Sequence, residues 1–149
     1  KTISVLERLK TGKKMNCWWC STQRRTELLN YAIEHKFNKI ALGHHLDDIL
    51  ETLLMNMLER GELSTMPPKL SYKNYPVTIL RPLCYVGEKT LVDYARLKGF
   101  ASSVCTCDYQ DNSGRKKARL LLEGLTGGND AKKMRLFLSL KNIRSEYLP

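Results

Sequence analysis

Apolar residues recur at helical spacing along most of the chain. Leu28, Leu29, Ala32 and Ile33 form one face of a helix that Ser21 or Thr22 caps and that runs to about His35. Ile49, Leu50, Leu53, Leu54, Met57 and Leu58 give a second helix a wide buried face, and Gly61 ends it. Between them, Lys39-Ile40-Ala41-Leu42-Gly43 is short, apolar and closed by glycine, the pattern of a buried strand. Met66-Pro67-Pro68 breaks the chain, and Val77-Thr78-Ile79-Leu80 predicts another strand, stopped by Pro82. Glu88 to Lys98 reads as a helix ended by Gly99, Ala101 to Val104 as a last short strand, and Asp108 to Gly114 as a polar loop. Two further helices, Arg115–Leu125 and Ala131–Ile143, flank Gly127-Gly128-Asn129-Asp130. Upstream, residues 3–9 suit a short helix or connector, and Lys10 to Lys14 a loop.

This alternation argues an α/β fold with a parallel sheet. In such sheets ligands sit beyond the carboxyl ends of the strands. Residues 1–149 read as a single domain, with 115–149 as a basic helical tail appended to the core. The length, 149 residues with 42% hydrophobic, is enough for a proper core. No apolar run approaches a membrane span and no signal peptide is visible, so a cytoplasmic setting is expected. The chain opens at Lys1, as a fragment would.

The net charge of +10 is unevenly placed. Residues 1–25 carry seven Lys/Arg against Glu7 alone, and 115–144 carry nine against Glu123 and Asp130. The middle, 26–114, is slightly acidic. Basic ends favour a polyanion partner over two merely solvated helical faces.

Five cysteines in a reducing compartment point to ligands or redox groups before structural disulfides. Cys17-Trp18-Trp19-Cys20 lets two thiolates meet one metal or close a small disulfide. Cys105 and Cys107 add two late thiols. Zinc would take Cys17, Cys20, Cys105 and Cys107 in a closed site, whereas an iron–sulfur cluster would take three or four thiolates. Spacing leaves these open. Cys84, in Arg81-Pro82-Leu83-Cys84, reads as a small core residue.

Gly43-His44-His45-Leu46-Asp47-Asp48 lies at a strand end. Its histidines and acids suit a hydrolytic metal site, or the Mg²⁺ and phosphates of a nucleotide. Helix capping is the plainer alternative: Asp48 with Glu51 makes a capping-box-like pattern. Capping explains one acid, not two histidines and a second acid. Arg24 and Arg25 set charge beside the thiol pair, and Arg115, Lys116, Lys117 and Arg119 suit phosphate neutralisation.

Taken in order, several segments resemble the tRNA 2-thiocytidine synthetase family. They are Cys17-x-x-Cys20-Ser21-x-x-Arg24-Arg25, Lys39 through Leu53, Met66-Pro67-Pro68-Lys69-Leu70, Arg81-Pro82-Leu83, and the late Cys followed by Asn112 and Arg115. The likeness covers nearly the whole chain. It implies a Rossmann-like adenine-nucleotide hydrolase core of the PP-loop ATPase type, with a partial parallel sheet and C-terminal helices. It implies ATP-dependent adenylation and thiolation of a cytidine in the tRNA anticodon loop. The cofactors so implied are ATP, Mg²⁺ and an iron–sulfur cluster of the 4Fe-4S type. The implied partners are tRNA, a sulfur donor and a second copy of the chain, with no membrane. By the same resemblance Cys17, Cys20 and Cys107 hold the cluster, Asp48 serves adenylation, and Gly43, His44 and Asp47 line the nucleotide.

Two departures stand out. Only Thr106 separates Cys105 from Cys107, where the family has two residues. The family's Ser-Gly-Gly-x-Asp-Ser phosphate loop has no counterpart here, so the chain resembles the later part of such an enzyme. That part alone is expected to be inactive. The rival readings are a 2-thiouridine synthetase of the same superfamily and a non-catalytic, zinc-stabilised RNA-binding module.

Overall fold

Leu46, Ile49, Leu50, Leu53 and Leu54 fall at the i, i+3, i+4, i+7, i+8 positions of a helix, and all five are buried. They build α2 (Leu46–Arg60), the central element of a computed structural model that describes residues 17–72, 75–100 and 114–148, with Cys17 and Trp18 as backbone only. Gly61 terminates α2 in the left-handed conformation (φ 65°), its N–H reaching back to the Asn56 carbonyl. Met57 and Leu58, expected in the buried face, are exposed instead. The last turn of α2 projects past the core and walls an open groove with Leu121.

Around α2 lie α1 (Cys17–Glu34), β1 (Lys39–Ala41), β2 (Lys69–Ser71), β3 (Thr78–Leu80), α3 (Glu88–Leu97), α4 (Gly114–Thr126), α5 (Asp130–Ser139) and a 3-10 turn at Ser145–Tyr147. The sheet order is β1-β3-β2. β1 and β3 are parallel, with Ile40 opposite Ile79, and β2 runs antiparallel to β3, with Leu70 opposite Ile79. The sheet is thus only partly parallel, where a parallel sheet was expected: β1 and β3 keep that expectation and β2 departs from it. β2 was not expected. Its single apolar residue follows two prolines, and pairing with β3 makes it a strand, helped by the Ser71 and Thr78 hydroxyls 3.2 Å apart.

Two apolar clusters hold the molecule. One lies under α1, where Leu29 and Ala32 meet Val77 and Ile79. The other joins the α2 face to Ala118 and Leu122 of α4, Phe137 of α5, and Cys84. Each fully buried large apolar side chain contributes roughly 1.5–3 kcal/mol. The two C-terminal helices are therefore not an appendage, because they complete the burial of α2. Asn129 caps α5 through its side chain, accepting from the Lys132 N–H at 3.0 Å.

The thiol pair lies inside α1, not in a loop before it. The sequence intervals 3–9, Lys10 to Lys14, Ala101 to Val104 and 108–113 lie outside the described residues. So do Cys105 and Cys107. Among the described residues, no helix is long and apolar enough to cross a membrane.

Candidate active site

β1 and β3 run side by side, and the Leu42 N–H donates to the Leu80 carbonyl at 2.9 Å. The chain then leaves β1 through Gly43, His44 and His45 into the first turn of α2. His45 is the N-cap in extended conformation, and Asp48 is the third helical residue. The capping pair is therefore His45 with Asp48, three residues earlier than the Asp48–Glu51 pattern suggests. The Asp48 Oδ2 accepts the His45 N–H at 3.1 Å and lies 3.3 Å from His45 Nε2. Its Oδ1 lies 3.3 Å from Arg115 Nη1, on α4.

Asp47 faces the other way. Its Oδ1 accepts from Lys133 Nζ at 2.5 Å and its Oδ2 accepts the Glu88 N–H at 2.8 Å, at the start of α3. Both side chains of the Asp47–Lys133 pair are buried. Burial pushes the Asp47 carboxyl up, but the Lys133 bond and the Glu88 amide outweigh it and hold the group below its ordinary range. Burial likewise pulls Lys133 down, and Asp47 more than reverses it, so the ammonium is held above its ordinary value. Asp47 thus ties α2 to α3 and α5. It was expected to line the nucleotide; the structure directs its carboxylate into this internal pair.

Glu51, one turn beyond Asp48, has no solvent exposure. Its Oε1 accepts from Arg119 Nε at 2.8 Å, while Oε2 has no hydrogen-bond partner among the described residues. Arg119 also lies 3.4 Å from Glu88, and its guanidinium is held above its ordinary value by the Glu51 hydrogen bond. Arg115 and Arg119, one turn apart on α4, therefore pair with Asp48 and Glu51, which are three apart on α2. Lys116, Lys117, Arg24 and Arg25 are exposed.

His44 is half-buried, and its Nδ1 is without a partner among the described residues. Burial lowers its pKa, Asp48 opposes this, and Arg81, Arg115 and His45 add to the lowering. The ring is thus held neutral near pH 7, able to donate from one nitrogen and accept at the other. A Cβ added at Gly43 would meet nothing within 4 Å. Packing within the described residues does not require glycine there.

The two histidines and two acids of this turn do not gather into a hydrolytic metal site. Among the described residues, no group of three or more His, Cys, Asp or Glu side chains is placed to hold a metal, and Asp47 is drawn off by Lys133. Positions 17 and 20 lie three apart on α1. Cys84 is buried, and burial pushes its thiol up, as befits a core residue. Sequence reasoning did not single out Lys133, Glu88 or Arg81 for the site. Glu51 was noted only as a cap partner; its spacing from Asp48 and the matching spacing of Arg115 and Arg119 were the available signal.

The model of the PP-loop domain family matches residues 20–119. The chain is 37% identical over 145 residues to tRNA-cytidine(32) 2-sulfurtransferase 1 of Francisella philomiragia, covering 97% of this chain and 56% of that protein. It is 39% identical to the tRNA-cytidine(32) 2-sulfurtransferase of Legionella pneumophila, again over 97% of this chain and 51% of the relative. The chain thus spans about half the length of these relatives. Among solved structures, it is similar in fold to the U34-tRNA thiolase NcsA from Methanococcus maripaludis with its 4Fe-4S cluster. That match has a TM-score of 0.72 and 21% identity, covering 95% of this chain and 47% of the thiolase. The expected kinship and the expected α/β fold agree with these matches. By the family model's match over residues 20–119, the chain belongs to the PP-loop domain family.

Proposed function

We propose that this chain is the later part of an ATP-dependent tRNA sulfurtransferase that thiolates a cytidine of the anticodon loop. The relatives at 37% and 39% identity are named for cytidine, which favours that base over uridine. The observation that carries the reading is Asp48. It stands at the carboxyl end of β1, beside the neutral His44, where an α/β sheet presents its ligands. Arg115 holds one carboxylate oxygen and the His45 amide the other.

In this reading, Mg-ATP adenylates the pyrimidine carbonyl oxygen with release of pyrophosphate, AMP leaves as sulfur takes the oxygen's place, and a 4Fe-4S cluster would supply that sulfur. Cys17, Cys20 and Cys107 would hold that cluster through their thiolates. Asp48 orients the cation and the reacting phosphate, and Gly43 leaves the approach to them open. His44, kept neutral by burial, offers a hydrogen bond without adding charge. Lys116, Lys117, Arg24 and Arg25 meet tRNA phosphates. Arg115 and Arg119, already paired with acids, contribute less to RNA than expected from their charge. A tRNA substrate sets the compartment as the cytoplasm, and a separate sulfur donor and a homodimer complete the assembly.

The test is thiolated nucleoside formed by the protein joined to a segment bearing the phosphate loop. Asp48→Ala should abolish thiolation while sparing tRNA binding. If capping were its whole role, the variant would lose about 0.5–2 kcal/mol of stability and stay active in the cold.

A further inference from the structure

We propose that Tyr31, His35 and Phe37, with Lys36 and Lys39, form a platform on which an unpaired base of an RNA stacks, at the end of β1 opposite the candidate active site. It rests on the tRNA partner of the thiolation reading and adds a second place of contact.

Tyr31 stands in the last turn of α1 and His35 just beyond it. Their rings stack, with centroids 4.0 Å apart and planes at 22°. The His35 ring also lies within 9° of the Phe37 plane, with centroids 6.4 Å apart. His35 Nδ1 donates to the Tyr31 carbonyl at 3.0 Å, which fixes the ring that both pairs share. These rings are not core. Tyr31 and Phe37 are each 56% exposed, and His35 is exposed as well. Burial therefore does not account for three nearly parallel rings in water. An RNA base does, because every base has a flat face that stacks on an aromatic side chain.

The turn that brings Phe37 beside His35 is strained. Lys36, at φ 58°, is the one non-glycine residue of positive φ among the described residues. Its N–H donates to the Ile33 carbonyl at 3.0 Å, and the Phe37 N–H to the Ala32 carbonyl at 2.7 Å, the two bonds that close a helix through a left-handed residue. Glycine ordinarily fills that position, because a Cβ is strained there. Lysine instead sets a cation beside the rings. Lys39, two residues past Phe37, is also exposed, and its Nζ donates to the Asn38 side-chain oxygen at 3.3 Å. Neither lysine has an ion pair among the described residues, and the exposed Glu34 makes none with them. The Thr78 N–H donates to the Asn38 carbonyl at 3.0 Å and ties this corner to β3. Exposed parallel rings flanked by two unpaired ammonium groups match a base and its phosphate, and a polyanion suits a chain of net charge +10.

The test uses two RNAs with the 149-residue chain. One is a tRNA transcript; the other is a short single-stranded RNA carrying a 2-aminopurine, whose fluorescence is quenched by stacking. Both should bind, and the fluorescence of the short RNA should fall saturably. Tyr31→Leu and Phe37→Leu keep an apolar surface but remove a ring, and each should weaken binding of the short RNA at least about fivefold. The control Tyr94→Leu, an exposed ring on α3 set edge-on to Phe100, should change it less than about twofold. Lys36→Gly separates recognition from folding. It should raise the melting temperature, since glycine accepts the left-handed turn, and yet weaken the short RNA at least about twofold. Binding of the tRNA without quenching of the short RNA would overturn the platform, give the rings to a protein partner, and leave the thiolation reading standing. Full affinity in both leucine variants, or in Lys36→Gly, would likewise overturn the platform alone. A chain that bound neither RNA would overturn both.

Discussion

Replacing Lys133 by methionine removes the cation from the buried pair with Asp47 while keeping most of the side-chain volume. The Asp47 carboxylate then keeps the Glu88 N–H and little else. Breaking a buried ion pair from one side costs about 3–5 kcal/mol. The surviving amide bond places the expected loss near the low end, about 3 kcal/mol. With an m-value of roughly 2 kcal/mol per M, the urea midpoint should fall by about 1.5 M. The dependence on pH is a second signature. Asp47 titrates below its ordinary range, so its stabilisation is present above that range and is lost as pH falls through the folded value. Lys133 titrates above its ordinary value, so its share is present below that value and lost as pH rises through the folded one. Lys133→Met should therefore flatten the stability profile at both extremes. The double variant Asp47→Leu, Lys133→Met should recover much of the loss, because no charge is left buried. Urea unfolding followed by circular dichroism across pH measures all three. A loss under about 1 kcal/mol, or an unchanged acid slope, would refute the assignment of this pair as a tie between α2 and α5.

Three further outcomes follow from the same geometry. Gly43→Ala should change stability by no more than about 0.5 kcal/mol, since its Cβ meets nothing, yet weaken nucleotide binding in the loop-bearing protein. Arg119→Ala leaves both Glu51 oxygens unpaired in the core; thermal melting should show a loss of about 1–3 kcal/mol, nearer the low end because Arg119 is half-exposed. For tRNA binding, contact with about five phosphates gives a log–log salt slope of roughly −3.5 to −4.5, and Arg24→Ala should lessen it more than Arg119→Ala.

Helix α2 was legible because its apolar spacing is strict and its ends carry plain signals, Gly61 above all. The strands β1 and β3 were legible as apolar runs ended by glycine or proline. The start of α1 was misplaced because Ser21 and Thr22 look like caps, although the helix runs through them from Cys17. β2 was invisible because its strand character lies in its partner. The acids of the α2 turn were found, but their division was not. Which of Asp47 and Asp48 faces inward depends on Lys133, 86 residues away from Asp47, and that lysine sits in a basic stretch that reads as solvated. Arg115 and Arg119 misled in the same way. Charge in a sequence announces a partner without saying whether it lies inside the molecule.

What the thiols hold decides most directly between a sulfurtransferase and a zinc-stabilised module. Anaerobically purified protein should contain about four irons and four sulfides per chain, bound through Cys17, Cys20 and Cys107. Alanine at any of those three should abolish the cluster absorbance, and alanine at the core residue Cys84 should spare it. One zinc per chain with no sulfide, or a cluster retained in the Cys17→Ala, Cys20→Ala double variant, would contradict the sulfurtransferase reading.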